Sequence, residues 1–204
     1  EFVNDHYYHV YNRGVEKRNI FLDDSDYLRF LKSLNHFNQE DPIFSLFWND
    51  IKMKDLGVGP LKSKLVDIVV YCLNPNHFHL LLKQRIDGGI SEFMKRLGAG
   101  YTGYFNHKNE RSGVLFQGRF KSIHVNSNAY LLYLSAYINE NNFIHGYSKN
   151  SQTWKYSSYL DYVGKRQGKM CDKKIILDQF SHSFKQYEEF SKENSLHLKS
   201  KKED

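Results

Sequence analysis

The sequence predicts an α+β fold built on one antiparallel sheet. Short runs of β-branched and aromatic residues are typical of strands, and longer stretches with apolar residues three or four positions apart are typical of helices. They alternate in the order β-α-β-β-α-β-α and are followed by a C-terminal helical extension. This order fits a split βαβ sheet of the ferredoxin-like type.

The first strand is predicted at residues 7–13, where a β-rich run ends at Gly14. Residues 23–25 are Asp, Asp and Ser, which offer an N-cap to the amphipathic helix that follows. A short strand near residues 44–48 and a loop at 57–60 are expected next.

The middle of the chain predicts two strands joined by a tight turn. The apolar runs at 66–73 and 77–83 flank an Asn-Pro-Asn sequence, which is typical of a turn. A helix over 90–105 follows and contains three glycines, which are unfavourable inside a helix. These glycines indicate a close approach, to another backbone or to DNA.

The second half of the chain predicts one more strand and three more helices. They are a short strand within 114–125, a helix over 128–142 capped by Asn126 or Ser127, a short helix at 154–163 and an amphipathic helix at 173–193. The charged tail from residue 198 onward is expected to be disordered.

Composition narrows the functional classes. The chain has 204 residues, of which 40% are hydrophobic, and it has neither an apolar run of eighteen residues nor a signal-peptide pattern at its start. Two distant cysteines form neither a disulfide framework nor a zinc motif, so a cytosolic protein is expected. A net charge of +6 favours a polyanion as the binding partner, and an aromatic fraction of 16% favours a nucleic acid whose unpaired bases stack on the protein's aromatic rings.

Two histidines at a spacing of two are the first candidate for chemistry. His77 and His79 lie on a predicted strand, where alternate side chains share a face, while Phe78 points to the other face. Two adjacent imidazoles form half of a site for a divalent metal. The alternative is two ordinary histidines near a turn.

A tyrosine and an asparagine four residues apart complete this candidate. Tyr137 and Asn141 share one stripe of the predicted helix, so a phenol and an amide oxygen lie close together. They suit a nucleophile and a third metal ligand. The alternative is that Tyr137 belongs to the apolar stripe and Asn141 only ends the helix.

Five segments together resemble a known family. The segments YHVYNRG, NPNHFHLLL, GVLFQGRF, AYINENN and WKYSSYLDYVG resemble the REP-associated tyrosine transposases. Those proteins are relatives of the single-strand insertion-sequence transposases, in the His-hydrophobic-His (HUH) nuclease group. The resemblance runs from about Tyr8 to about Gly164 and departs from the family pattern at Asn142, where proline is usual. It implies a catalytic domain over residues 1–164 and a helical extension with a charged tail over 165–204.

The resemblance implies an enzyme that cleaves and rejoins single-stranded or hairpin DNA at palindromic repeats. Tyr137 would be the nucleophile that forms a 5′-phosphotyrosine. His77, His79 and Asn141 would hold Mg²⁺ or Mn²⁺. Related transposases exchange catalytic tyrosines between subunits, so a homodimer is a further expectation, as is a bacterial cytosolic or nucleoid location.

Five polar residues are candidates for binding DNA. Arg119, with Gln117 and Lys121, is placed to hold phosphate or bases. Arg13 and Asn12, at the end of the first strand, are candidates for contacting a short guide segment or a hairpin. A structural ion pair is the alternative role for Arg119.

Other interpretations stay open. Tyr101 is a rival nucleophile on the preceding helix, but Phe105 stands four residues after it and cannot bind a metal, so Tyr137 is preferred. The rival functions are a relaxase or replication-initiator nickase, a hydrolase that uses water, and a non-catalytic nucleic-acid-binding module. The C-terminal helix could form a dimer contact, cover the site or bind DNA.

Overall fold

A computed structural model describes residues 1–41 and 63–203, with side chains up to residue 200. The short strand predicted near 44–48 and the loop predicted at 57–60 lie outside the described residues. In the described part, the strands are β1 (Tyr7–Arg13), β2 (Val66–Asn74), β3 (His77–Gln84) and β4 (Lys121–Val125). They form one sheet in the order β2-β3-β1-β4, and every neighbouring pair is antiparallel. The predicted fold class is confirmed.

The helices cover both faces of this sheet. They are α1 (Asp24–His36), α2 (Gly89–Lys108), α3 (Asn128–Asn139), α4 (Asn141–Ile144), α5 (Tyr159–Tyr162), α6 (Lys174–Leu177) and α7 (Phe184–Glu203). The predicted caps are in place, because the Asp23 side chain accepts from the backbone N–H of Asp26 and Ser127 accepts from that of Tyr130. None of the helices within the described ranges is long and apolar enough to cross a membrane.

Two apolar cores lie on opposite faces of the sheet. Phe78 and Leu80 point toward α1 and α2, where Phe30 is fully buried. Leu81 points the other way, into a core that contains Leu134 of α3 and residues of α5, α6 and α7. Because strand side chains alternate between faces, His77 and His79 lie on the α3 face while Phe78 lies on the α1 face.

The helix that carries Tyr137 is shorter than predicted. It ends at Asn139, and Glu140 adopts φ −96° and ψ 4° before α4 begins at Asn141. The Glu140 carboxylate is buried and accepts hydrogen bonds from the hydroxyls of Ser151 and Ser191. These distant contacts hold the residue at the break, so the prediction of one continuous helix over 128–142 was wrong.

The C-terminal half also departs from the predicted helices. Only residues 159–162 of the predicted helix at 154–163 are helical. The predicted helix at 173–193 is divided, because Ser181 and His182 adopt left-handed backbone angles with φ 49° and 61°. The tail predicted to be disordered continues α7 as far as Glu203.

Of the three glycines that the sequence predicts inside this helix, Gly98, Gly100 and Gly103, only Gly100 is closely approached by another residue. A Cβ atom on Gly100 would lie 2.6 Å from the ring of Phe37, so the close approach is to a side chain. Gly98 and Gly103 meet nothing within 4 Å. The expected approach to another backbone is therefore not found at these three positions.

Candidate active site

The two histidines open into a cleft of about 470 Å³ on the α3 side of the sheet. The cleft brings together most of the predicted site residues: His77, His79, Tyr137, Arg13, Asn12, Gln117 and Lys121. Five of its other lining residues were not predicted: Tyr11, Lys17, Asn76, His145 and Tyr147. Strand register explains the grouping, since β1 pairs Arg13 with His77 and Tyr11 with His79.

The orientation of His79 is fixed by a third histidine, His9. His9 lies on β1, and its Nε2 is 2.8 Å from Nδ1 of His79. Burial lowers the pKa of His9 to about 4, so its ring is neutral at physiological pH. If Nδ1 of His79 donates to Nε2 of His9, the lone pair of His79 lies on Nε2. That tautomer is the one required for a ligand facing the cleft.

The ring of His77 is held in the same way by an amide. Its Nδ1 lies 2.6 Å from Oδ1 of Asn76, which can only accept a hydrogen bond. The proton therefore sits on Nδ1, and the lone pair of His77 lies on Nε2. That Nε2 is 3.1 Å from Oδ1 of Asn141. The rings of His77 and His79 are 5.2 Å apart and nearly perpendicular.

The amide of Asn141 is fully buried and oriented with its oxygen toward His77. Its Oδ1 also accepts from Nδ2 of Asn74 at 2.6 Å. Its own Nδ2 is buried with no hydrogen-bond partner among the described residues. An unsatisfied buried donor costs about 1–3 kcal/mol.

This donor set fits a divalent metal of the Mg²⁺ or Mn²⁺ kind. It supplies two imidazole nitrogens and one amide oxygen, which suit a borderline to hard cation. Within residues 1–41 and 63–200, no group of three or more His, Cys, Asp or Glu side chains is arranged to hold a metal. The candidate site therefore depends on the amide as its third donor.

Tyr137 is half-buried beside the histidines. Its ring centroid lies 5.8 Å from that of His79 and 6.3 Å from that of His9. Burial raises the pKa of its phenol, and the amide of Asn141 partly offsets that rise. Because the phenol is protonated at neutral pH, it needs a partner that accepts its proton or stabilises the phenolate before it can attack.

Tyr101 lies outside this cleft. It is fully buried in the core on the α1 face, and its hydroxyl donates to the backbone oxygen of Ile20 at 2.6 Å. Burial raises the pKa of this phenol far above its usual range. Its placement is that of a core residue.

The residues predicted to bind DNA divide between two clefts. Arg13 donates to Oε1 of Gln117, and both line the cleft of the histidines together with Lys121. Asn12 donates to the backbone oxygen of Gly118 at 3.2 Å and borders both clefts. Arg119 lines a separate, mainly apolar cleft of about 510 Å³ next to α2.

Sequence reasoning did not predict His9, Asn74 or Asn76. The signal for His9 was available, because it alternates with Tyr7 and Tyr11 along β1 and so shares a face with the cleft. Asn74 and Asn76 flank a proline, a pattern that by itself predicts only a turn. The contact of Asn74 with Asn141 joins residues 67 positions apart, which the local sequence does not specify.

Comparison with known proteins gives both a family and a fold. Residues 2–141 match the family model described as IS200-like transposase. No curated protein matches the chain. A solved REP-associated tyrosine transposase, bound to a REP hairpin, has a TM-score of 0.53 and 14% identity, over 81% of this chain and 83% of that one. A protein from Deinococcus radiodurans R1, described as a candidate transposase, has a TM-score of 0.40 and 15% identity, over 67% and 91%.

The first of these structures shows a similar fold, and at 14% identity the likeness is limited to the fold. The family model extends over well more than half of the chain and includes both strands and the helix that form the cleft. It also includes His77, His79, Tyr137 and Asn141. The chain therefore belongs to the IS200-like transposase family, whose members cleave DNA and transfer its strands.

Proposed function

We propose that this transposase cleaves and rejoins single-stranded or hairpin DNA through a covalent link to Tyr137, with a divalent cation held by His77, His79 and Asn141. One observation carries the proposal. Nε2 of His77 and Oδ1 of Asn141 meet at 3.1 Å, and Tyr137 lies against His79 in the same cleft. The proposed nucleophile and the three proposed donors lie on β3, α3 and α4.

The reaction is an in-line displacement at phosphorus. The phenol oxygen of Tyr137 attacks, the bond from phosphorus to the 3′-oxygen breaks, and a 5′-phosphotyrosine and a free 3′-OH result. A bound Mg²⁺ or Mn²⁺ supplies charge stabilisation at the scissile phosphate. A later 3′-OH can attack the phosphotyrosine and restore Tyr137, so strands are rejoined without a nucleotide cofactor.

The cleft suits the proposed DNA substrate. Lys17, Arg13 and Lys121 line it beside the site, where their charges attract a phosphate backbone. Tyr11 and Tyr147 add rings on which unpaired bases can stack. The fold neighbour was solved with a REP hairpin, which supports hairpins of palindromic repeats as the substrate class.

We also propose that the extension over 165–204 supports the nucleophile helix. The hydroxyl of Tyr187 in α7 accepts from Nδ2 of Asn139 at 2.8 Å, at the last residue of α3. Ser191 donates to the buried Glu140 at 3.1 Å. These contacts do not favour a dimer contact, a cover over the site or DNA binding for this segment, and they support a different role, that of holding the end of α3. The homodimer stays a prediction.

A denaturing gel tests the proposed reaction. Labelled single-stranded hairpin DNA is incubated with the protein and Mn²⁺ or Mg²⁺, and the expected product is a protein–DNA adduct. The adduct should disappear in Tyr137→Phe and in His77→Ala and persist in Tyr101→Phe. Cleavage without an adduct would instead support water as the nucleophile, and binding without cleavage would support a binding module.

The choice of DNA separates a transposase acting on repeats from a nickase acting at an origin. Rejoining of two repeat hairpins in one reaction would support the transposase. Nicking of origin-type single strands, with repeat hairpins left intact, would support the relaxase or replication-initiator alternative.

A further inference from the structure

A second buried asparagine lies at the candidate metal site. Asn74 ends β2, and the register of the sheet places it directly opposite His77. Its side chain is completely buried. Its Nδ2 is 2.9 Å from Nε2 of His77 and 2.6 Å from Oδ1 of Asn141.

These three atoms form a compact triangle. Its third side is the 3.1 Å between His77 and Asn141. In an octahedral site with bonds of about 2.1 Å, adjacent donor atoms lie about 3 Å apart. The end of the Asn74 side chain therefore has the spacing expected of a third donor on one face of such a site.

We propose that Asn74 is a further metal ligand, which binds through Oδ1 together with His77 and Asn141 on one face of the site. This inference rests on the proposed metal-dependent function. His79 would add a fourth donor from the protein, which gives two nitrogens and two oxygens. The remaining positions of an octahedral ion would be left for water and for phosphate oxygens.

Ligation requires the amide of Asn74 to turn by half a rotation, so that Oδ1 replaces Nδ2. The neighbour on the other side of this amide makes that turn inexpensive. Oδ1 now faces the thiol of Cys72 at 3.6 Å, and a thiol is only a weak donor. After the turn, the N–H groups would face the same sulfur, which is a weak acceptor. One weak contact replaces another.

Without a metal, the present orientation is the stable one. The N–H groups of Asn74 then satisfy two acceptors, Nε2 of His77 and Oδ1 of Asn141. When a cation binds, both acceptors turn their lone pairs to the ion, and an N–H between them becomes unfavourable. The same residue would thus hold the two ligands close together in the empty site and complete the site when it is filled.

The rival role for Asn74 is that of a hydrogen-bond donor that only positions Asn141 and His77. Two substitutions separate the roles. Asn74→Asp keeps an oxygen at the same place and removes the N–H groups, so a residue that acts as a ligand should still bind the metal in this variant. A residue that acts as a hydrogen-bond donor should lose its function, because a carboxylate oxygen would then lie near Oδ1 of Asn141 as a second acceptor. Asn74→Leu removes both capacities.

The test is Mn²⁺ binding to the full chain by isothermal titration calorimetry, together with water proton relaxation, which reports the number of metal-bound waters. His77→Ala is measured alongside. For Asn74→Leu we expect affinity to fall about tenfold or more and one further water to bind the ion. For Asn74→Asp we expect affinity at or above the wild-type level and no further water. Circular dichroism checks that each variant is folded.

Other outcomes overturn the inference. Equal losses of affinity in Asn74→Asp and Asn74→Leu, with an unchanged number of waters, would assign Asn74 the donor role. Unchanged affinity in both variants would remove it from the site. If Asn74→Leu does not fold, a loss of affinity in Asn74→Asp is sufficient to reject ligation. Failure of the wild type to bind Mn²⁺ would count against the proposed function itself.

Discussion

Replacing His9 by Phe tests whether a residue that does not face the metal controls its binding. Phe preserves the ring stacking of His9 against His79 and Tyr11, whose centroids lie 5.0 Å away in both cases. It removes only the acceptor for Nδ1 of His79. The neutral tautomer with its lone pair on Nε2 would then lose the hydrogen bond from its buried Nδ1–H to His9.

The size of the effect follows from the burial of the pair. His9 is 5% exposed and His79 is 8% exposed, so water does not replace the lost acceptor. A buried donor left without a partner costs about 1–3 kcal/mol. The cost falls on the metal-bound state, because the empty protein can change the tautomer of His79. A tenfold change in affinity corresponds to about 1.4 kcal/mol, so the metal affinity should decrease about 5- to 150-fold. Loss of a hydrogen-bond partner of a metal-bound histidine typically lowers metal affinity by about 10- to 100-fold.

The measurement is Mn²⁺ affinity by titration calorimetry for wild type, His9→Phe and a control, His6→Phe. His6 is a suitable control because it lies near the same strand and stacks on another histidine, His124, at an exposed position outside the cleft. We expect wild-type affinity in the control. An unchanged affinity in a folded His9→Phe protein would refute the assignment of His9 as the partner that fixes the tautomer of His79.

The remaining predictions concern the nucleophile, the helices and the metal. Tyr137→Phe should abolish the DNA adduct on a denaturing gel, whereas Tyr101→Phe should keep it. Tyr101→Phe should also lower the free energy of unfolding in urea by about 1–3 kcal/mol, because a buried carbonyl loses its donor. Loss of the adduct in Tyr101→Phe alone would reverse the assignment of the nucleophile. Gly98→Ala should stabilise α2 by up to about 1 kcal/mol, but Gly100→Ala should lack that gain because its Cβ meets a ring at 2.6 Å; equal melting temperatures for the two variants would contradict this. Tyr187→Phe should destabilise the fold by about 1–3 kcal/mol, as Asn139 loses a buried acceptor, and an unchanged urea midpoint would argue against the supporting role of α7. Chelation by EDTA should stop adduct formation and added Mn²⁺ should restore it, and activity that persists in EDTA would exclude a required metal.

Periodicity was sufficient for the sheet and for most of the helices around it. Strands β1, β2 and β3 begin and end within one residue of their predicted bounds, because alternation and turn residues are local signals. The same alternation placed His77 and His79 together on one face. Alternation also places His9 on the cleft face of β1, but its contact with His79 needs the pairing of β1 with β3, across 70 positions. The contact of Asn74 with Asn141 spans 67 positions, and periodicity does not predict it.

The break after α3 illustrates why the remainder of the site required the structure. Residues 128–142 read as one helix, and nothing local marks Glu140 as its end. Its carboxylate is held by Ser151 and Ser191, which are 11 and 51 positions away.

Even so, the spacing of four that predicted the pairing still leaves Asn141 close enough to Tyr137 to lower the pKa of its phenol. The same amide, at the first residue of α4, also directs its oxygen to His77. A regular helix predicted the proximity of the candidate nucleophile and the amide. Glu140 directly precedes Asn141 and is held by Ser151 and Ser191, so we expect substitutions at these serines to affect the candidate metal site from a distance.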